Sequence, residues 1–189
     1  MDFKKVVSER HSCRDFSTKK VSLGDVAEVI DTAKYAPCAG NIYSVRLILV
    51  SETESKIKLM DAAMGQKHLK DASYVIVVCS DPTEVVRSYG TRAEIFTRQQ
   101  AGAAIENILL SMQNLGLAGS WVGGFDENAV KRIFNIPAHV QVEALIPVGY
   151  KLEKEKITEL KETKDTHKIF YLEKWGIHYA LQTKRIEAL

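Results

Sequence analysis

The chain has 189 residues, of which 46% are hydrophobic and 26% are charged, and its formal net charge is +2. This length supports one domain with a substantial core, and this composition excludes a disordered chain. The weak charge argues against a nucleic-acid-binding protein, and no apolar stretch approaches the ~20 residues needed to span a bilayer.

The first half of the chain predicts helices, a loop and two strands. Phe3 and Val6 indicate a short amphipathic helix, and Ser22 and Asp25 are spaced as in a capping box that opens a second helix with an apolar stripe to Ala33. Residues 37–41 are a predicted loop. Residues 45–51 and 74–80 are predicted buried strands, and residues 53–64 carry a weaker helical pattern.

The second half predicts a long central helix over residues 98–115, ended by a glycine cap at Gly116. Residues 83–97, which precede this helix and have a polar, mixed composition, predict a loop or a short helix over the active site. Residues 119–124 predict a short strand or loop, Asp126 is the predicted N-cap of a helix through Phe134, and residues 140–150 predict the last strand. With no internal repeat and no linker, the chain is expected to be one α+β domain over residues 1–189.

Motifs for several common chemistries are missing. The sequence lacks G-x-G-x-x-G after a strand, G-x-x-x-x-G-K-[ST] and G-x-S-x-G, which argues against Rossmann dinucleotide sites, P-loop nucleotidases and α/β-hydrolases. The five histidines are scattered, so no metal site is expected. Three widely spaced cysteines and a charged N-terminus without a signal-peptide core favour a reduced, cytoplasmic protein.

The segment from Glu9 to Phe16 concentrates two arginines, a histidine and a serine just after the first predicted helix. Arginine binds phosphate oxygens through two parallel hydrogen bonds, so this segment could hold a phosphate group. The alternative is a solvated helix end, where cations complement the helix dipole.

This segment, Arg-His-Ser-x-Arg-x-Phe at residues 10–16, resembles the opening signature of the FMN-dependent nitroreductase family. Further segments match that family in the same order: APCAGN at 36–41, AAIENILLSMQNLGL at 103–117, WVGGF at 121–125, IPVGY at 146–150 and YLEKWG at 171–176. The resemblance covers nearly the whole chain. It implies an α+β fold with a central, mostly antiparallel sheet flanked by helices, and an intertwined homodimer whose C-terminal tail lies on the partner.

The resemblance also implies an FMN site built from both subunits. Arg10 and Ser12 would hold the FMN phosphate, with Lys164 as a third contact and Lys161 as a weaker candidate. For both lysines the alternative is a solvated charged helix. His11 would lie beside the flavin, although a surface histidine is the alternative.

Other residues are expected around the flavin ring. Arg14 would stabilise the negative charge of the reduced flavin, or else pair with Asp15 or Glu9. Gly123 and Gly124 would present a backbone N–H to flavin N5, or else form only a strand end or bulge. Gln66 would bond the pyrimidine edge, or else be solvated. The partner chain would contribute a loop that packs on the ring, comprising Pro37, Cys38, Ala39 and Asn41. The alternative is that this loop is an ordinary turn.

Cys38 stands where the family usually has serine, and its thiol is redox-active if exposed; the alternative is a small buried apolar side chain. The implied activity is hydride transfer from NADH or NADPH through flavin to nitroaromatic, quinone or similar small acceptors, by a ping-pong mechanism. No dedicated acid is evident, so protons are expected from solvent or from ligand hydroxyls. The alternatives are reductive dehalogenation, flavin fragmentation, a non-catalytic FMN sensor or carrier, and a structural domain without flavin.

Overall fold

The computed structural model describes residues 2–152 and 169–177. The chain divides into two compact units, residues 1–155 and 156–189. In the second unit, the Tyr171 and Trp175 rings are in contact, with centroids 4.8 Å apart. One domain over residues 1–189 stays a prediction.

Seven helices and four strands make up the described part of the first unit. The helices are α1 (Phe3–Glu9), α2 (Leu23–Asp31), α3 (Thr53–Ala62), α4 (His68–Asp71), α5 (Thr83–Tyr89), α6 (Ala93–Asn114) and α7 (Glu127–Phe134). The strands are β1 (Val45–Val50), β2 (Tyr74–Ser80), β3 (Ala118–Gly119) and β4 (Gln141–Gly149). Short 3-10 turns cover Thr32–Tyr35, Ala39–Asn41 and Gly90–Arg92. Among the described helices, none is both long and apolar enough to cross a bilayer.

The strands form one antiparallel sheet in the order β1-β2-β4-β3. The pairing of β2 with β4 shifts between Val78 and Cys79, which marks a bulge. After β3, the chain returns to the sheet edge through two reciprocal 3.0 Å hydrogen bonds between Val122 and Leu145. The expected α+β fold, with an antiparallel sheet flanked by helices, is confirmed.

The core lies on both faces of the sheet because successive strand residues point to opposite sides. Ile76 and Val78 pack with α2 and α6, whereas Val75 and Val77 pack with α3, α4 and α7. Helix α6 buries the predicted apolar stripe against the first face, comprising Ala101, Ala104, Ile105, Ile108, Leu109 and Met112. The sheet is therefore covered on both sides, as expected for a strand as uniformly apolar as β2.

Helix α6 begins at Ala93, five residues before the predicted start at residue 98, and this prediction was wrong by more than one turn. The extra turn is held by burial of Ala93 and Thr97 and by an ion pair between Glu94 and Arg98, 2.8 Å apart. Helix α5 occupies residues within the 83–97 segment, and its Tyr89 ring packs edge-on against Phe96, with centroids 5.1 Å apart. Tertiary burial therefore extends a helix that the local pattern does not mark.

The predicted caps are present. Ser22 Oγ accepts a hydrogen bond from the Asp25 N–H at 3.0 Å, and Asp126 Oδ1 accepts one from the Ala129 N–H at 3.1 Å. Gly116 follows α6 with φ of +71°, a conformation that favours glycine. These caps fix the start of the two helices and the end of the central one.

Asp126→Ala is expected to lower the free energy of unfolding by about 1 kcal/mol, since it removes the N-cap acceptor of α7. Urea unfolding of both proteins measures this difference. Asp126→Asn retains an acceptor oxygen and should cost much less. Equal losses for both variants would contradict the hydrogen-bond explanation.

Candidate functional site

The segment from Arg10 to Phe16 is held in place through its backbone. The Cys13 N–H donates to the Gly119 carbonyl at 2.9 Å, and the Leu152 N–H donates to the Asp15 carbonyl at 3.0 Å. Cys13 is buried, whereas Ser12 and Arg14 are exposed on either side of it. The fold thus fixes this segment between the ends of β3 and β4, with the hydroxyl and the guanidinium at the surface.

Close packing supports this placement at two glycines. A Cβ at Gly149 would lie 2.6 Å from Phe16 Cδ1, so the Phe16 ring occupies the space that a side chain would need. A Cβ at Gly119 would collide with Met112 Cε and the Pro147 carbonyl oxygen. The segment and β3 can therefore approach the sheet only because both positions are glycine.

Arg10 and His11 have partners within the described chain. Arg10 Nε lies 3.4 Å from Glu106 Oε1 on α6, in a partly exposed ion pair. His11 Nδ1 donates to the Glu9 carbonyl at 3.0 Å, which leaves Nε2 as an acceptor 3.5 Å from Lys151 Nζ. Glu106 and Lys151 therefore neighbour the predicted phosphate segment, and neither was predicted to do so.

The structure brings Gln66 to the predicted glycine pair. Gln66 Nε2 donates to the Gly124 carbonyl at 3.1 Å, and the Asp126 N–H donates to the Ala62 carbonyl at 2.8 Å. Gly123 and Gly124 are exposed. The corner between β3 and α7 is consequently pinned to the end of α3, with its backbone accessible.

The predicted loop at residues 37–41 lies against α5 and α6. Gly40 has φ of +57°, and a Cβ there would lie 2.5 Å from Tyr89 Oη. A cavity of about 300 Å³ is lined by Pro37, Cys38, Ala39, Phe96, Gln99 and Gln100. Asn41 is exposed, with φ of +59°. The structure thus brings these loop residues to α6, and no described contact brings them to Arg10 or Gln66.

Three buried polar atoms have no hydrogen-bond partner among the described residues: His68 Nε2, Gln100 Nε2 and Ser120 Oγ. Gln100, 2% exposed, uses its Oε1 to accept a 2.8 Å bond from the Ser44 N–H, and it is one of the residues that line the cavity. Buried unpaired polar atoms are rare in native proteins and indicate a missing ligand, water or chemical role. Sequence reasoning missed all three. Gln100 carried a usable signal, because it is a polar residue on the buried stripe of α6.

Lys161 and Lys164 lie outside the described residues. Within the described residues, no group of three His, Cys, Asp or Glu side chains is arranged to hold a metal ion.

His68 has the most informative electrostatics of the site. Burial lowers the pKa of its imidazole, the Arg14 charge lowers it further, and Asp15 and Asp71 oppose these effects. The folded protein therefore favours the neutral imidazole at neutral pH.

This lowered pKa predicts a pH-dependent stability. In the unfolded chain His68 gains its proton as the pH falls through about 6.5, whereas the folded chain resists until a lower pH. The free energy of unfolding should hence fall as the pH drops below about 6.5 and level off below the folded pKa. Urea unfolding at about pH 5 and about pH 8 tests this, and His68→Gln should show a smaller difference. An equal difference in the variant would contradict the assignment.

Comparisons with known proteins agree with this geometry. A family model described as the nitroreductase family matches residues 7–67 and 59–150. A candidate NADH dehydrogenase/NAD(P)H nitroreductase of Archaeoglobus fulgidus is 29% identical over 175 residues, covering 90% of this chain and 97% of the relative. An iodotyrosine deiodinase of Haliscomenobacter hydrossis is 22% identical, covering 85% of this chain and 84% of the relative.

The fold also matches a solved structure. A nitroreductase family protein of Clostridium novyi NT superposes with a TM-score of 0.75 at 24% identity, over 96% of this chain and 98% of that one. Since the family model spans most of the 189 residues, the chain belongs to the nitroreductase family of oxidoreductases.

Proposed function

We propose that this chain is an FMN-dependent oxidoreductase that takes a hydride from NADH or NADPH and passes it through flavin to nitroaromatic, quinone or similar small acceptors. Nitroreductases are typically flavin-dependent. The observation that carries the proposal is the fixed segment from Arg10 to Arg14, bonded through Cys13 to the strand that leads into Gly123 and Gly124. Through this bond, the groups suited to a phosphate (the Arg10 guanidinium and the Ser12 hydroxyl) and the backbone corner suited to a flat ring (Gly123 and Gly124) are part of one connected backbone arrangement.

The residues present fit a flavin phosphate. Ser12 is exposed and Arg10 is partly exposed, and they offer a hydroxyl and a charged fork from a backbone that is already ordered. The Glu106 carboxylate lies beside Arg10 Nε, which leaves the two terminal amino groups of the guanidinium for phosphate oxygens. We further propose Lys164, and less strongly Lys161, as added phosphate contacts, and His11 as a neighbour of the flavin.

The residues present also fit a ring. FMN, when bound, supplies a group that accepts a hydride and returns it to a second molecule. Gly123 and Gly124 offer backbone N–H groups without a side chain in the way, and Gln66 is held at that corner by its 3.1 Å bond to Gly124. Arg14 offers a fixed positive charge for the negative charge that reduction creates.

We propose a homodimer in which Pro37, Cys38, Ala39 and Asn41 reach the flavin of the partner and the C-terminal tail lies on the partner. Large apolar side chains on the surface support an association: Phe3 is 73% exposed and Tyr35 is 72% exposed. Gln100 lines the cavity beside this loop, and its amide nitrogen has no hydrogen-bond partner among the described residues. Cys13, Cys38 and Cys79 form no disulfide among the described residues, which supports the proposed cytoplasmic location.

A visible absorption spectrum of the purified protein, before and after anaerobic addition of NADH or NADPH, tests the proposal. Flavin bands that bleach with one donor are the expected result and identify the preferred donor. A colourless protein that takes up no added FMN would contradict the proposal. Flavin bands that persist with both donors would instead indicate an FMN sensor or carrier.

Steady-state kinetics should give parallel double-reciprocal plots, because donor and acceptor use the same face of the site in turn. Varying NADH or NADPH against a quinone at several fixed concentrations measures this. Intersecting plots would indicate a ternary complex and rule out the ping-pong mechanism.

Reductive dehalogenation is the second candidate, and the deiodinase relative favours it. Product analysis with halogenated phenols separates the two: halide release coupled to flavin oxidation would support dehalogenation, whereas reduction of nitroaromatics or quinones alone would support the first proposal. Oxygen-dependent breakdown of the reduced flavin in the same assay would identify flavin fragmentation.

A further inference from the structure

His68 is a buried histidine with an unused ring nitrogen. The side chain is 7% exposed, and Nε2 has no hydrogen-bond partner among the described residues. A buried polar atom left without a partner costs free energy that packing must offset. Such an atom indicates a missing ligand, water or chemical role.

The fold places His68 next to the proposed ring site. It begins α4, two residues after Gln66, and the Gln66 amide is bonded to the Gly124 carbonyl at 3.1 Å. Arg14 and Asp15, from the segment between the sheet ends, lie close enough to act electrostatically on the imidazole. His68 is therefore two residues from Gln66 along the chain and within electrostatic range of Arg14, the two side chains that the proposed function assigns to the ring.

The charged groups that act on the His68 imidazole come from residues 14–15 and from α4. Arg14 opposes a second positive charge, while Asp15 and, on α4 itself, Asp71 favour one. On α3, the Lys56 ammonium donates to the Ala72 carbonyl at 2.7 Å and thus caps the far end of α4. A negative charge placed beside Arg14 would offset the effect of the Arg14 charge on His68. The pKa of His68 would then rise, which favours the protonated imidazolium.

We propose that His68 takes up one proton at Nε2 when the flavin held beside Arg14 is reduced by two electrons, an inference that rests on the proposed function. Reduction by one nicotinamide adds one hydride to the bound cofactor and, with it, one negative charge. The proton on His68 comes from solvent, and no electrons pass through the imidazole. Overall, one nicotinamide is oxidised and one solvent proton is bound per flavin reduced.

Proton counting tests the inference. FMN-loaded protein is mixed anaerobically, in weakly buffered solution near neutral pH, with an equal amount of the nicotinamide that bleaches it, and an indicator dye records proton uptake. The wild-type protein should take up about one proton per flavin reduced, and His68→Gln should take up almost none. The matched control is His139→Gln, an exposed histidine 3.8 Å from Asp81, which should behave as wild type.

An NMR titration of isotope-labelled histidine in the wild-type protein gives a second result that needs no variant. The His68 ring should be neutral with oxidised flavin and protonated with reduced flavin at the same pH. A loaded protein that is reduced without protonating His68, or a His68→Gln variant with undiminished proton uptake, would overturn this inference and leave the proposed function intact. A protein that binds no flavin would overturn both.

Discussion

Arg10→Ala is expected to weaken FMN binding by about 1.5–3 kcal/mol, or about 10- to 150-fold, if Arg10 holds the phosphate through a charge-assisted hydrogen bond. The loss arises from two sources. The phosphate loses a charged donor, and the Glu106 carboxylate, now 3.4 Å from Arg10 Nε, is left beside the phosphate without a counter-ion. Fluorescence titration of the apoprotein with FMN measures the change.

Riboflavin separates the phosphate contribution from a general loss of structure, because it carries the same ring without the phosphate. Riboflavin affinity should be nearly unchanged in Arg10→Ala. The matched control is Arg98→Ala, which breaks a comparable ion pair with Glu94 on α6. Unchanged FMN affinity in Arg10→Ala would remove Arg10 from the site. A double-variant cycle with Glu106→Gln would measure how much of the effect passes through the ion pair.

Gly119→Ala is expected to lower the free energy of unfolding by about 3 kcal/mol, because overpacking here is opposed by backbone. The added Cβ would collide with Met112 Cε, which can move, and with the Pro147 carbonyl oxygen of β4, which cannot move without breaking the sheet edge. The same change would shift the strand that accepts the Cys13 N–H. Urea unfolding measures the loss, and FMN affinity should fall with it.

Gly102→Ala is the matched control for this prediction. Gly102 lies inside α6, and an added Cβ would meet only Trp121, at 3.9 Å. Because alanine favours the helix over glycine, this variant should gain up to about 1 kcal/mol. The free energy of unfolding is therefore expected to fall in Gly119→Ala and to rise in Gly102→Ala. A similar loss in both variants would show that a steric clash does not explain the effect at Gly119.

Local patterns in the sequence predict most of the fold. Strand β2 matches its predicted bounds, and the apolar stripe of α6 is buried as predicted, because burial on a helix or strand repeats with a fixed period. The caps at Ser22 and Asp126 follow from side-chain chemistry within one helical turn. The start of α6 was missed because its first turn is held by tertiary burial rather than by a local pattern.

The candidate site divides in the same way. The sequence by itself determined the family, through motifs spread along the chain, and it singled out the arginine and serine after α1 as candidates for binding a phosphate. Only the tertiary structure decided which groups meet: Gln66 with Gly124, 58 residues apart, and Ser44 with Gln100, 56 residues apart. It alone also showed that Arg10 faces Glu106 and that His68 Nε2 is buried without a described partner. Such contacts depend on the register of the sheet and on how the chain returns to the sheet edge. Neither feature produces a periodic pattern of residues from which it could be predicted.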